Sequence, residues 1–408
     1  MTNLTKEISA HNYKAFLWHG LFLAFASSFM DVDTIMPSMI TNVGGSVFHV
    51  SLLVTIMLGG STFTQLLFAP YIHNRKAKKI TLLIGIYLRI FSLTGLSILF
   101  FNMTMFNNTY TVWIILLLVS VFAFSGAFAN ISYVDLIGKS IIDKDRKSLL
   151  SLRQVLSAIG VLLSAYFAHK ILSLYGIPKN YSLLFLFATL FLFIASWGFW
   201  VLKETDSGKN NQRKLSESLK LIYREIKENN KLKNYLLIIT TLGNTLSIMS
   251  FLIVYSKKQF SLDPAQIGNF LILKIIGTVI TGLTLFYFSK KIKYSKLLYL
   301  IIILSVFLPL FVILTENNFH LFSFVFLLGG IIYGIYSVTI NGILLEISTN
   351  NNRAIYAGAV GAGSLVPAIF PIFAGKLINY SGFNLFFIVY ELIILSSIIF
   401  IKRLNCEK

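Results

Sequence analysis

Apolar runs recur along the chain with short polar breaks, near residues 15–40, 48–71, 80–101, 111–135, 149–172, 181–202, 235–254, 266–288, 297–314, 321–344, 354–377 and 383–401. Each approaches the ~17–25 residues a helix needs to cross about 30 Å of hydrocarbon. The pattern predicts twelve membrane-spanning helices. Spanning β-strands would be ~10 residues long with alternating polarity. Runs such as Leu183–Ile194, apolar except for Thr189, reject that alternative. The first fourteen residues are polar and the run after them is about span length, so the first run reads as a span rather than a cleaved leader.

Basic residues give the spans a direction. With the N-terminus inside, 28 of the 35 Lys and Arg fall on inner segments, five on outer ones, and two, Arg89 and Lys274, within spans. Retention of Lys and Arg on the cytoplasmic side then places both termini inside. Residues 203–234 form the only long polar segment. Within it Leu215, Leu219, Ile222 and Ile226 make one apolar stripe at helical spacing. That predicts an amphipathic helix on the inner membrane surface, with a partly ordered tether as the alternative. The linker divides the chain into two six-span bundles, 1–202 and 235–408. An internal echo supports duplication: Phe167-Ala168-His169-Lys170 leads to Gly176, and Phe373-Ala374-Gly375-Lys376 leads to Gly382, offset by 206 at each matched position.

Composition agrees with this layout. Hydrophobic residues make up 56% of the chain and charged ones 12%, where a soluble domain carries about 25% charged. Disordered chains and soluble α/β enzymes are excluded. The net charge of +19 could suggest nucleic acid, but the basic residues are dispersed over separate loops and tails. One cysteine, Cys406, supports neither a disulfide framework nor a Cys-based metal site. The six His are scattered, and neither a cofactor nor a metal is expected.

Twelve spans, a central linker and a basic loop between spans 2 and 3 resemble the major facilitator superfamily over essentially the whole chain. That family's loop motif reads Gly-x-x-x-Asp-Arg-x-Gly-Arg/Lys-Arg/Lys. Here the stretch is Pro70-Tyr71-Ile72-His73-Asn74-Arg75-Lys76-Ala77-Lys78-Lys79. Arg75, Lys78 and Lys79 fit, while Pro70, Asn74 and Ala77 depart, so an amide replaces the carboxylate the family uses in gating. Asn341-Gly342-Ile343-Leu344-Leu345-Glu346, followed by Arg353-Ala354-Ile355-Tyr356-Ala357-Gly358, is similar to the connection between spans 10 and 11 of many bacterial members. The Gly-Pro-rich antiporter motif of span 5 is absent, with Ser157-Ala158-Ile159-Gly160-Val161 in its place. The resemblance implies two pseudo-symmetric six-helix bundles, a midplane cavity lined mainly by spans 1, 4, 7 and 10, and transport by rocking of the halves.

A charge at the bilayer centre costs at least about 2.5–3.5 kcal/mol, so intramembrane charges are the first functional candidates. Asp31 and Asp33 lie in span 1. Ser27, Asp31, Thr34 and Ser38 would share one helical stripe, with Asp33 about 200° from Asp31. Two nearby carboxylates suit reversible proton binding. Lys274 in span 8 can bind an anionic group or pair with Asp31. Arg89 in span 3 and Glu391 in span 12 read as structural ion-pair members. Asn130 and Tyr133, Asn244 and Ser247, and Tyr333, Tyr336 and Asn341 are candidate substrate contacts on spans 4, 7 and 10. Arg75, Lys78, Lys79, Asp135, Arg146, Arg153, Glu346 and Arg353 lie at inner ends and suggest a gate of ion pairs.

The expected protein is a monomeric, proton-coupled secondary transporter of a small or amphiphilic solute in a bacterial cytoplasmic membrane. A drug/proton antiporter is the narrower alternative; a polytopic membrane enzyme, a receptor and a channel are the others. The outer loops at 41–47 and 102–110 carry no carboxylate for an enzyme's acid or base.

Overall fold

The computed structural model describes residues 4–73, 78–204, 215–288, 292–348 and 353–404. Among these residues there is no β-strand. The helices are α1 (Lys6–Ser27), α2 (Ile35–Asn42), α3 (Val47–His73), α4 (Lys78–Phe101), α5 (Asn108–Ser140), α6 (Asp143–Leu174), α7 (Lys179–Val201), α8 (Leu215–Glu228), α9 (Asn230–Leu242), α10 (Thr245–Gln259), α11 (Pro264–Phe288), α12 (Tyr294–Thr315), α13 (Phe319–Ile347), α14 (Arg353–Gly363) and α15 (Leu365–Leu404). Several begin on residues whose side chains accept from the first free N–H groups. Thr5 accepts from Ile8, Asn107 from Thr109, Asn229 from Lys231 and Leu232, and Asn318 from Leu321.

Eleven stretches of the described chain are long and apolar enough to cross a membrane. The last, Gly358–Leu404, has 47 residues, about 70 Å of helix and more than twice a hydrocarbon core. It is interrupted at Gly382, where φ is +78° and ψ −178°. That backbone region suits glycine, and the break makes two spans of the stretch and twelve crossings in all. Gly176, the counterpart of Gly382 in the sequence echo, lies in the break between α6 and α7. An added side chain at either glycine would meet nothing within 4 Å.

The first span departs from the expected continuous helix. It divides into α1, a 3-10 turn at Ser28–Met30, an extended Asp31 (φ −62°, ψ 125°) and α2. Pro37 supplies a local cause. It has no N–H for the Asp33 carbonyl, and its ring would crowd that carbonyl in a continuous helix. The expected helical stripe through Ser27, Asp31, Thr34 and Ser38 therefore does not form. The seventh span is interrupted too, at Gly243–Asn244 between α9 and α10.

Two compact units emerge from the packing. One comprises residues 1–31 and 60–215; the other comprises 32–59 and 216–408. In the first unit α1 packs on α6 and α7, and α4 packs on α5 and α7. Gly85 lets α4 approach the α5 backbone at Ser125 and Ala129, and Gly198 lets α7 approach α1 at Ala15. In the second unit α9 packs on α15, α12 packs on α13 and α15, and α11 packs on α13. Gly277 faces the Leu327 carbonyl and Gly330 the Lys274 carbonyl, so α11 and α13 meet backbone to backbone. The third span thus packs on the fourth and sixth, as the ninth packs on the tenth and the final helix. In α8, half-buried Ile222 comes to Gly358, so this residue of the amphipathic stripe has a protein neighbour. The side chains of Leu215 and Leu219 lie outside the described residues.

Candidate functional sites

The interruption of the first span places an acid against a base inside the second unit. Asp33 accepts from the Lys274 ammonium at 2.6 Å, with side-chain exposures of 14% and 10%. The expectation for Lys274 is an anionic group or Asp31; the bridge shown is to Asp33, in a turn that follows the extended Asp31. Asp31 is half-buried and lies just before the second unit begins. Around the bridge, α2 is held by α10: Ser250 donates to the Val32 carbonyl at 3.1 Å. Lys257 donates to the Ser38 carbonyl at 3.1 Å and also to Asn42 Oδ1. Thr278 ties the Lys274 and Gly330 carbonyls at 3.1 and 3.2 Å, fixing α11 against α13 one turn from the ammonium. The Lys274 ammonium lies 6.0 Å from the centre of the Tyr333 ring.

The other second-unit candidates are more dispersed. Asn244 is buried at the break in the seventh span. Its amide donates to the Thr240 and Thr241 carbonyls at 2.9 and 2.8 Å, while its Oδ1 has no hydrogen-bond partner among the described residues. Ser247 is buried and donates to the Asn244 carbonyl at 3.0 Å. Both side chains brace the interrupted backbone. Tyr336 is buried and Tyr333 exposed. Asn341 is exposed and donates to the Ser337 carbonyl at 2.8 Å. Glu391 is half-buried and Glu346 exposed.

In the first unit, a cavity of about 60 Å³ is lined by Arg89 from α4, Asn130 and Tyr133 from α5, Arg153 from α6, His19 from α1 and apolar residues that include Phe199. Arg89 donates to the Phe122 carbonyl at 3.3 Å, and its guanidinium sits 4.8 Å from the Phe122 ring centre. Of the two partners expected for Arg89, a span-1 carboxylate or backbone carbonyls, the contact shown is to a carbonyl, with a ring face beside it. Gly126 makes room for the guanidinium. Arg153 was expected in a gate at the inner end. It instead lies eleven residues into α6 with its guanidinium 4.8 Å from the Tyr133 ring centre, next to Gly20. Arg153 Nε and the Tyr133 hydroxyl make no hydrogen bond among the described residues. His19 is buried and its ring Nδ1 meets the Ala195 carbonyl at 3.2 Å.

A third cluster ties the start of α4 to the ends of α5 and α7. Lys78 is fully buried and bridges Asp135 at 3.2 Å. The backbone N–H groups of Lys78 and Lys79 donate to the Glu204 carboxylate at 2.7 and 3.3 Å, an acid at the positive end of a helix. The Lys79 ammonium donates to the carbonyls of Trp200 and Leu202 at 2.6 and 3.0 Å, the negative end of α7. Arg146 closes the turn after α5, donating to Ile141 at 3.1 Å and to Gly138. Arg75 and the side chain of Arg353 lie outside the described residues.

Sequence reasoning missed Glu204, Lys257 and His19. Glu204 had a signal in hindsight, as an acid directly after the sixth span among many bases. Lys257 had been read as an outer-loop charge, and His19 carried no distinguishing spacing. Among the described residues, no group of three or more His, Cys, Asp or Glu can hold a metal ion.

Two sets of packed spans, interrupted helices and buried charges define a polytopic membrane carrier. The Major Facilitator Superfamily family model matches residues 17–256 and 235–405. The chain belongs to this superfamily and is a transporter rather than an enzyme. No significant match emerges among individually curated proteins. Among solved structures, it is similar to the nucleoside transporter NupG, with a TM-score of 0.70, 13% identity, and coverage of 96% of this chain and 100% of that one. It is similar to a D-xylose-proton symporter, with a TM-score of 0.70, 14% identity and 98% of each chain covered. It is also similar to a bacterial homologue of the iron transporter ferroportin in an inward-facing state, with a TM-score of 0.66, 14% identity, and 97% and 99% covered. At these identities the likeness establishes the fold.

Proposed function

We propose that the protein is a proton-coupled secondary transporter that moves a small or amphiphilic solute across a bacterial cytoplasmic membrane by alternating access, acting as a monomer with both termini inside. The reading rests above all on the Asp33–Lys274 bridge at the interrupted first span. Irregular backbone at membrane depth is tolerated where it is buried or lines a cavity, and carriers use such breaks to present groups to solutes and ions. Protonation of Asp33 would cancel one charge of the bridge and weaken its hold on the Lys274 ammonium. Proton uptake and solute binding then act on the same two side chains. Asp31, in the same non-helical stretch, is the second carboxylate of the coupling pair. Asn130, Tyr133, Asn244, Ser247, Tyr333, Tyr336 and Asn341 supply solute contacts. Lys78, Lys79, Asp135 and Arg146, with Arg75, Glu346 and Arg353, form the inner gate, and Glu204 joins them.

The test uses a solute selected by thermal shift in detergent and then followed in proteoliposomes. Asp33→Asn should lose gradient-driven accumulation by about 100-fold, in line with the loss of a group that drives a coupled step. It should retain solute counterflow, which needs no net proton movement. Unchanged gradient-driven accumulation would overturn the coupling role.

A further inference from the structure

The first-unit cavity has an unusual charge balance. Two guanidiniums, Arg89 and Arg153, line it together with His19, Asn130 and Tyr133, and among the described residues no lining side chain is a carboxylate. Guanidiniums do not shed their charge in proteins, so deprotonation offers no relief. Arg89 reaches a neutral carbonyl and a ring face. Arg153 lies on the Tyr133 ring, and its Nε makes no hydrogen bond among the described residues. The cavity therefore offers N–H and O–H donors and two positive charges without a protein anion among its lining residues. Charge withdrawn from water, as in these half-buried guanidiniums, calls for a compensating charge, and here that charge is left to a ligand.

We propose that this cavity binds a compact oxyanionic group, a carboxylate or phosphate, carried by the transported solute. The proposal rests on the transport reading for its setting, and on the cavity for its chemistry. A planar guanidinium with parallel N–H groups matches the oxygens of such a group two at a time. The volume of about 60 Å³ is several times the roughly 10–15 Å³ a water needs, so it takes an acid group rather than a whole solute. Asn130 is exposed as well as cavity-lining, and it marks the side from which the rest of the solute extends.

The experiment measures melting temperature of the purified full-length protein in detergent against sodium phosphate, sodium acetate and sodium chloride in separate series. Ionic strength is held by a bulky sulfonate too large for the cavity. Phosphate or acetate should give a saturable rise of about 2 °C, as expected of a ligand that binds only the folded state. Arg153→Gln should weaken the response at least about tenfold, and Tyr133→Phe, which removes one hydroxyl and keeps the ring, about threefold. Arg224→Ala, on exposed α8, should leave it unchanged. The proposal falls if neither oxyanion stabilises the protein, if Tyr133→Phe responds as the parent does, or if Arg224→Ala abolishes the effect. It also falls if chloride matches the oxyanions, which would assign the cavity to a resident inorganic ion. No proton gradient is present in detergent, so failure of the coupling test leaves this result standing, and the reverse holds too.

Discussion

The two units handle buried positive charge in opposite ways. In the second, Lys274 meets Asp33 at 2.6 Å and the pair is nearly closed off. In the first, Arg89 and Arg153 line a cavity with no carboxylate among its described walls. A neutralised pair stores its charge within the protein and can be opened by a proton. An uncompensated pair of cations is an incomplete electrostatic arrangement that something else must complete. One fold thus carries an acid–base pair in one unit and a ligand-dependent cluster in the other.

The largest break of this comparison is Asp33→Asn, which removes the 2.6 Å bridge to the Lys274 ammonium. A loss of about 3–5 kcal/mol of stability is expected. The double variant Asp33→Asn with Lys274→Met should regain most of it, because both charges of the bridge are then gone. Equal melting temperatures for the single and double variants would show that the bridge carries no such coupling. The opposite sign is expected in the first unit. With the bulky sulfonate as the only added anion, Arg153→Met removes a cation with no described carboxylate beside it in the cavity and should raise stability by about 1 kcal/mol. A loss as large as that of Asp33→Asn would erase the contrast. A smaller effect is expected from Lys257→Met, which releases the end of α2 from α10. It should cost about 1–3 kcal/mol through lost charge-assisted hydrogen bonds, read as faster hydrogen exchange in α2 with α1 unaffected.

Most of the fold was legible because lipid imposes a simple rule: backbone groups must be satisfied within each span, so span length and apolarity suffice to count crossings. The merging of the last two spans across Gly382 also fits the repeat, whose echo had placed that glycine at an equivalent position to Gly176. The sites were less legible, because a helical projection presumes an unbroken helix. Pro37 was visible, but its effect on the Asp31–Thr34 geometry, and hence the bridge between Asp33 and Lys274, depends on packing against α10 and α11. Arg153 was misplaced for a related reason. A residue near the end of an apolar run reads as a loop charge, yet α6 begins at Asp143 and carries Arg153 well into the bundle. Asn244 and Ser247 show the reverse. Their spacing implied a shared polar face, and the structure spends most of their hydrogen bonding on the interrupted backbone.

Gly176 gives the chain a practical handle. The position is exposed, an added side chain there meets nothing within 4 Å, and its backbone needs no positive φ. The protein also has a single cysteine, Cys406. With Cys406→Ser, a Gly176→Cys substitution becomes the only thiol in the molecule. Membrane-impermeant maleimides applied to whole cells or inverted vesicles then report which face of the membrane the turn between α6 and α7 occupies, with no fusion partner and no change to either charged site.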